Sequence, residues 1–181
     1  LGTIRNIVLA WVFCLSQHGL AQESTPIAWD VSRKLAWEDF KGKPFKTAWA
    51  AATTASGISY EYTGRETKGG YELEFSVGAY FYPEKSWYQP HLCDALVLSH
   101  EQLHFDISEL FARKLRKQLV AARFTKNAKA EVQEIYNRVL LELNAYQSRY
   151  DQETNYSRYP DKQLEWNRKI GDALANSAGL P

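Results

Sequence analysis

Cysteine is nearly absent from this chain, with two among 181 residues. One of them, Cys14, falls in a stretch that reads as a removable leader, which leaves Cys93 alone. A single thiol closes no internal disulfide, so the domain must hold together by packing, helped by metal if it binds one. Cys93 itself sits among apolar neighbours and reads as a buried, inert thiol. A long apolar run is missing as well: residues 7–16 form a mostly apolar segment, about half of the roughly 20 residues that cross a bilayer. Neither sign of charge is in excess. Lys and Arg number 22 against 21 Asp and Glu, for a formal net charge of +1. That balance gives no electrostatic ground for binding nucleic acid or an anionic membrane surface. Internal repeats and low-complexity tracts are lacking too.

What is present begins with an export pattern. Arg5, the apolar residues that follow and Gly19-Leu20-Ala21 before Gln22 read as a signal peptide over residues 1–21. The expectation is a periplasmic or secreted protein whose mature part, residues 22–181, forms one domain without stable membrane insertion. Aromatics make up 14%, with 6 Trp and 11 Tyr, and are expected chiefly in core and sheet packing.

Ile58, Tyr60 and Tyr62 alternate with Ser59 and Glu61, the period of a half-buried strand. Gly69-Gly70 marks a turn, and Tyr71, Leu73, Phe75 and Val77 alternate in a second strand that Pro83 ends. If residues 71–82 formed a sheet edge above a cleft, they would pair with an extended peptide through main-chain hydrogen bonds. From residue 92 the period becomes helical. One helix is expected over residues 92–124 and a second over 129–150; a loop over 151–159 leads to a third helix opened by Pro160. Strands first and helices after indicate an α+β domain.

His100-Glu101-Gln102-Leu103-His104 lies within the first long helix. Residues four apart differ by about 40° in direction, so both imidazoles project from one face, one turn apart. Two ring nitrogens can then reach one tetrahedral Zn²⁺, while Glu101 beside them is placed to take a proton from a water acidified by the metal. A catalytic zinc needs a third protein ligand. Asp106 and Glu109 point about 200° and 140° away from His104, and His91 lies about 13 Å along the axis from His100. Glu142 on the second helix remains a candidate, and the following loop offers Asp151, Tyr156 and Tyr159. Asp151 is expected to support that loop or to hydrogen-bond a ligand histidine. A phenol there could also donate a hydrogen bond to an oxyanion, although Tyr150, at the end of the helical stripe, reads as core.

Four segments together resemble a family of secreted zinc-dependent proteases of bacteria, catalogued mainly as a domain of unknown function and counted among the zincin-like peptidases. They are Trp37-Glu38-Asp39-Phe40, Ser86-Trp87, the stretch from Ser99 through His100-Glu101-Gln102-Leu103-His104 to Ile107, and Tyr150-Asp151-Gln152-Glu153-Thr154. The similarity spans roughly residues 29–170. In the family pattern the last segment runs into threonine, any residue, histidine and glycine, and that histidine would be the third ligand. Here the segment reads Thr154-Asn155-Tyr156-Ser157. The resemblance thus implies a zincin-like domain that hydrolyses peptide bonds with Zn²⁺ held by His100, His104 and Tyr156, and with Glu101 as the catalytic base. Glu142, or a site with only two strong ligands, stays open in place of Tyr156. Two rivals remain: a binding or envelope protein that keeps the fold without turnover, and a metal-dependent hydrolase of some other amide.

Overall fold

The computed structural model describes residues 24–44 and 50–176. The expected signal peptide, with Cys14, lies outside the described residues. The chain runs through short strand β1 (Ile27–Ala28), β2 (Ala52–Thr53), the long strands β3 (Ser56–Thr67) and β4 (Gly70–Phe81), short β5 (Trp87–Tyr88), and then helices α1 (Ala95–Ala121), α2 (Ala128–Thr154) and α3 (Pro160–Ala175). This is the α+β arrangement expected from the sequence.

β3 and β4 form an antiparallel hairpin in register from Ser56↔Phe81 to Thr67↔Gly70. Its turn requires glycine. Gly70 has φ +136°, and a Cβ there would stand 2.1 Å from the Phe124 carbonyl, a clash in a backbone region that suits glycine alone. The close approach lets the Tyr71 N–H reach the same carbonyl at 2.9 Å, tying the hairpin tip to the loop after α1.

β4 is not the sheet edge envisaged for substrate. β3 covers one side along its whole length and β1 covers the other at Tyr80 and Phe81, giving the order β1-β4-β3. The second ladder, β2 with β5, stands apart and borders the cleft described below.

α1 lies across β4 and β3, with α2 and α3 packed along it. Its start is fixed by Asp94, whose carboxylate accepts the Val97 N–H at 2.9 Å, a bond that satisfies one of the orphan amides of the first turn. Val77, Ala79 and Phe81 alternate inward from β4 against Phe105, Ile107, Leu110, Phe111 and Leu115 of α1, all buried. Each such side chain contributes about 1.5–3 kcal/mol by leaving water. Val132, Val139, Leu143 and Tyr150 continue the core along α2, and Trp166 and Ile170 close it from α3. α2 extends further than its sequence period suggested. It runs four residues past Tyr150, ending where Asn155 adopts a left-handed conformation, so Asp151 is helical rather than part of a loop.

The segment that follows β1 is stitched to the back of α1. Asp106 accepts the Trp29 indole N–H at 2.7 Å and the Gln102 amide at 2.8 Å, and Lys34 reaches its other oxygen at 3.4 Å. The Gln102 carbonyl accepts the Leu35 N–H at 2.7 Å. The side of α1 turned away from His100 and His104 therefore anchors the N-terminal segment.

Candidate metal centre

His100 and His104 project from α1 toward Asp151 on α2. The two Nε2 atoms are 3.3 Å apart, and Asp151 Oδ1 lies 3.2 Å from His100 Nε2 and 2.9 Å from His104 Nε2. These three groups could hold a metal ion.

The protonation pattern sharpens the fit. His104 Nδ1 meets the Gln147 carbonyl oxygen, and the Gln147 amide donates in turn to the His104 backbone carbonyl at 3.2 Å, which fixes which way the glutamine faces. His100 Nδ1 meets the Gln163 carbonyl oxygen at 3.0 Å, while the Gln163 amide donates to the Tyr150 hydroxyl at 2.7 Å and to Asn167 at 2.9 Å. Each Nδ1 thus carries a proton, which leaves each Nε2, facing the other ring and a carboxylate, as the atom that can bind a cation. Three acceptors facing one point repel one another unless a cation or a proton sits among them. A tetrahedral ion with bonds of about 2.0–2.1 Å has ligand–ligand edges of about 3.3–3.4 Å, close to the observed separations.

Electrostatics agree. Burial works against an imidazolium at His104, yet the Asp151 and Glu101 carboxylates outweigh it and hold its pKa above the ordinary value. Burial likewise pushes the Asp151 carboxyl up, but the two imidazoles prevail and keep it well below the usual carboxylate range. The shift favours the anionic form of Asp151, the form a cation would need.

Glu101 is 5% exposed and lines the same cavity, of about 580 Å³. Its carboxylate makes no hydrogen bond or ion pair among the described residues, so its lone pairs are uncommitted. The Tyr150 ring stacks on His100 with centroids 4.6 Å apart, and burial raises its phenol far above the usual range. It stays neutral, packs in the core as its place in the stripe suggested, and orients His100 through Gln163.

The other sequence candidates lie elsewhere. Tyr156, the expected third ligand, lines the cavity from its rim and is 42% exposed; the donor brought between the two imidazoles is Asp151. Glu142 pairs with Lys114 at 2.5 Å, and nine helical residues separate it from Asp151 by about 13 Å, so it is no ligand. Glu109 holds Arg113 at 2.9 Å. His91 and Tyr159 are exposed. Cys93 is half-buried and donates to the Ala51 carbonyl at 3.3 Å, and burial pushes its thiol up, which fits the inert role expected of it.

Sequence reading passed over Gln147 and Gln163 entirely. The available signal was spacing: Gln147 and Asp151 stand four apart on one helix face. Gln163 is fully buried and holds both His100 and Tyr150. Replacing it by leucine should weaken metal binding by about 10–100-fold, the usual cost of losing a ligand's supporting partner. The same change should destabilise the chain by about 1–3 kcal/mol through the unpaired buried groups; metal competition titration and thermal unfolding measure the two effects separately.

The family described as bacterial protein of unknown function (DUF922) matches residues 28–158. The chain belongs to this family. The DUF922 match runs from the end of β1 through α2, and so contains Glu101, the three converging groups and Gln147, while Gln163 lies five residues beyond it. No significant match to a curated protein or to a solved structure was found.

Proposed function

We propose that this member of the DUF922 family is an exported, zincin-like zinc peptidase, with His100, His104 and Asp151 as ligands and Glu101 as the catalytic base. The observation that carries the reading is the convergence of three acceptors at 2.9–3.3 Å beside a buried carboxylate with no hydrogen-bond or ion-pair partner among the described residues. Two imidazoles and one carboxylate are a donor set that suits zinc. Bound there, zinc would polarise a carbonyl and lower the pKa of a water toward neutrality.

The chain's own groups supply the rest. Glu101 accepts a proton from the attacking water and returns it to the departing amine, a role that needs a carboxylate free of other bonds. Tyr156, at the rim, is the group suited to donate a hydrogen bond to the developing oxyanion. β2 offers the substrate a backbone edge. The Gln89 N–H bonds the Ala51 carbonyl at 2.8 Å, which makes 51/89 a bonded pair, and Ala52↔Tyr88 the next, non-bonded one. Residues alternate in this way along an antiparallel ladder, so the Ala52 N–H and C=O point away from β5. Ala52 lines the cavity, and an extended peptide laid against it would be held by main-chain bonds that ignore sequence. No helix among the described residues is long and apolar enough to cross a membrane, and the leader-like residues 1–21 support export.

The test is metal content and turnover in one preparation. Purified protein should contain about one zinc per chain and cleave an unfolded protein substrate; a chelator should stop cleavage and zinc should restore it. Absence of bound metal after zinc loading would overturn the proposal. Zinc retained without cleavage of any peptide would favour a binding protein that keeps the site.

A further inference from the structure

Tyr156, Ser157 and Arg158 line the same cavity as the three converging groups. The loop they belong to is unusual. Asn155, Tyr156 and Ser157 have φ of 47°, 54° and 71°, three successive left-handed residues without a glycine. Such conformations cost of order 1–3 kcal/mol each and persist where surrounding structure holds them, often at sites of function.

The loop's amides are almost all spent internally. Asn155, Tyr156, Arg158 and Tyr159 donate to the carbonyls of Gln152, Asp151, Asn155 and Thr154 at 2.8–3.2 Å. The Ser157 N–H is the exception, with no acceptor among the described residues, and the Ser157 hydroxyl is likewise unengaged. Next to it, Arg158 is exposed. Its guanidinium has one long bond, 3.5 Å to the Asn155 carbonyl, and no carboxylate pairs with it among the described residues. A guanidinium fork and, on the preceding residue, an unused amide and hydroxyl, both residues lining one cavity, match the needs of a carboxylate, which accepts up to four hydrogen bonds and favours bidentate partners. Within the cavity, Asp151 is engaged by the histidines and Glu101 stands beside them on α1. The anion this corner would take must therefore come from outside.

We infer that Ser157 and Arg158 form a carboxylate-reading corner of the cleft, which selects substrates carrying an acidic side chain or a free C-terminus close to the bond cleaved. The inference rests on the peptidase reading, and its test separates the two. Zinc-loaded protein is titrated with three hydroxamate-capped peptides: Ala-Ala amide, Ala-Ala free acid and Ala-Asp amide. The neutral amide reports on the metal alone. In the wild type at least one charged probe should bind about tenfold or more tightly than the neutral one, the scale of a charge-assisted bond; which one does so identifies the source of the carboxylate. In Arg158→Gln that preference should vanish while the neutral probe binds as before, which also shows that the variant is folded. Equal binding of all three probes by the wild type, or a preference that survives in Arg158→Gln, overturns the carboxylate corner and leaves the peptidase reading standing. Failure of the neutral probe to bind overturns the metal reading and the corner with it.

Discussion

Asp151→Asn should abolish tight zinc binding. The substitution keeps the size and planarity of the side chain and removes its charge. That charge is what would make Asp151 a ligand: its oxygen lies 2.9 and 3.2 Å from two imidazole nitrogens, and the pair holds its carboxyl well below the usual range. An amide in that place offers a neutral, weaker donor oxygen, or turns an N–H toward the metal. The loss should exceed the about 10–100-fold seen when a supporting partner is removed. Competition with a zinc indicator measures it directly. Tyr156→Phe is the matched control, since it removes the phenol the sequence suggested as ligand and should leave zinc affinity within a few-fold of wild type. Strong zinc retention by Asp151→Asn with loss in Tyr156→Phe would reverse the assignment.

Glu101→Gln should separate binding from chemistry. Glutamine fills the same space, and no described residue makes a hydrogen bond with the Glu101 carboxylate, so the fold and the zinc content should be preserved. What disappears is the proton acceptor. Peptide cleavage should fall by about 10²–10⁴-fold in kcat, the range that positioned general acid–base groups contribute, with KM little changed. Undiminished turnover would show that another group takes the proton.

The extent to which these results could be foreseen differs between residues, and the reasons are physical. The hairpin and the three helices were legible because their apolar periods of 2 and 3.6 are strong, and His100, Glu101 and His104 because their chemistry is written in four residues of spacing. Asp151 was visible as a residue but misjudged as a position. An apolar stripe ends at its last apolar member, Tyr150, although the helix runs on to Thr154. The residues that face a metal are polar, so the periodicity that reveals a core face does not reveal a site face. Tyr156 drew attention through a resemblance in pattern; the structure gives it a place at the rim instead. β2, at two residues, carries no alternation to read, and its value lies in pairing with β5 some thirty residues away. Gln163 could not have been found from pattern at all, since it is one polar residue on the buried side of a short helix.

The reach of Gln163 into the centre has a consequence for when that centre is complete. The ligands come from α1 and α2, but the orientation of His100 is completed by α3. A chain that has emerged as far as Thr154 already possesses all three candidate ligands, yet the His100 ring still lacks its Nδ1 partner. On the proposed reading, full metal affinity therefore arrives with the last helix: a chain not yet folded past Thr154 would hold the ion about 10–100-fold more weakly.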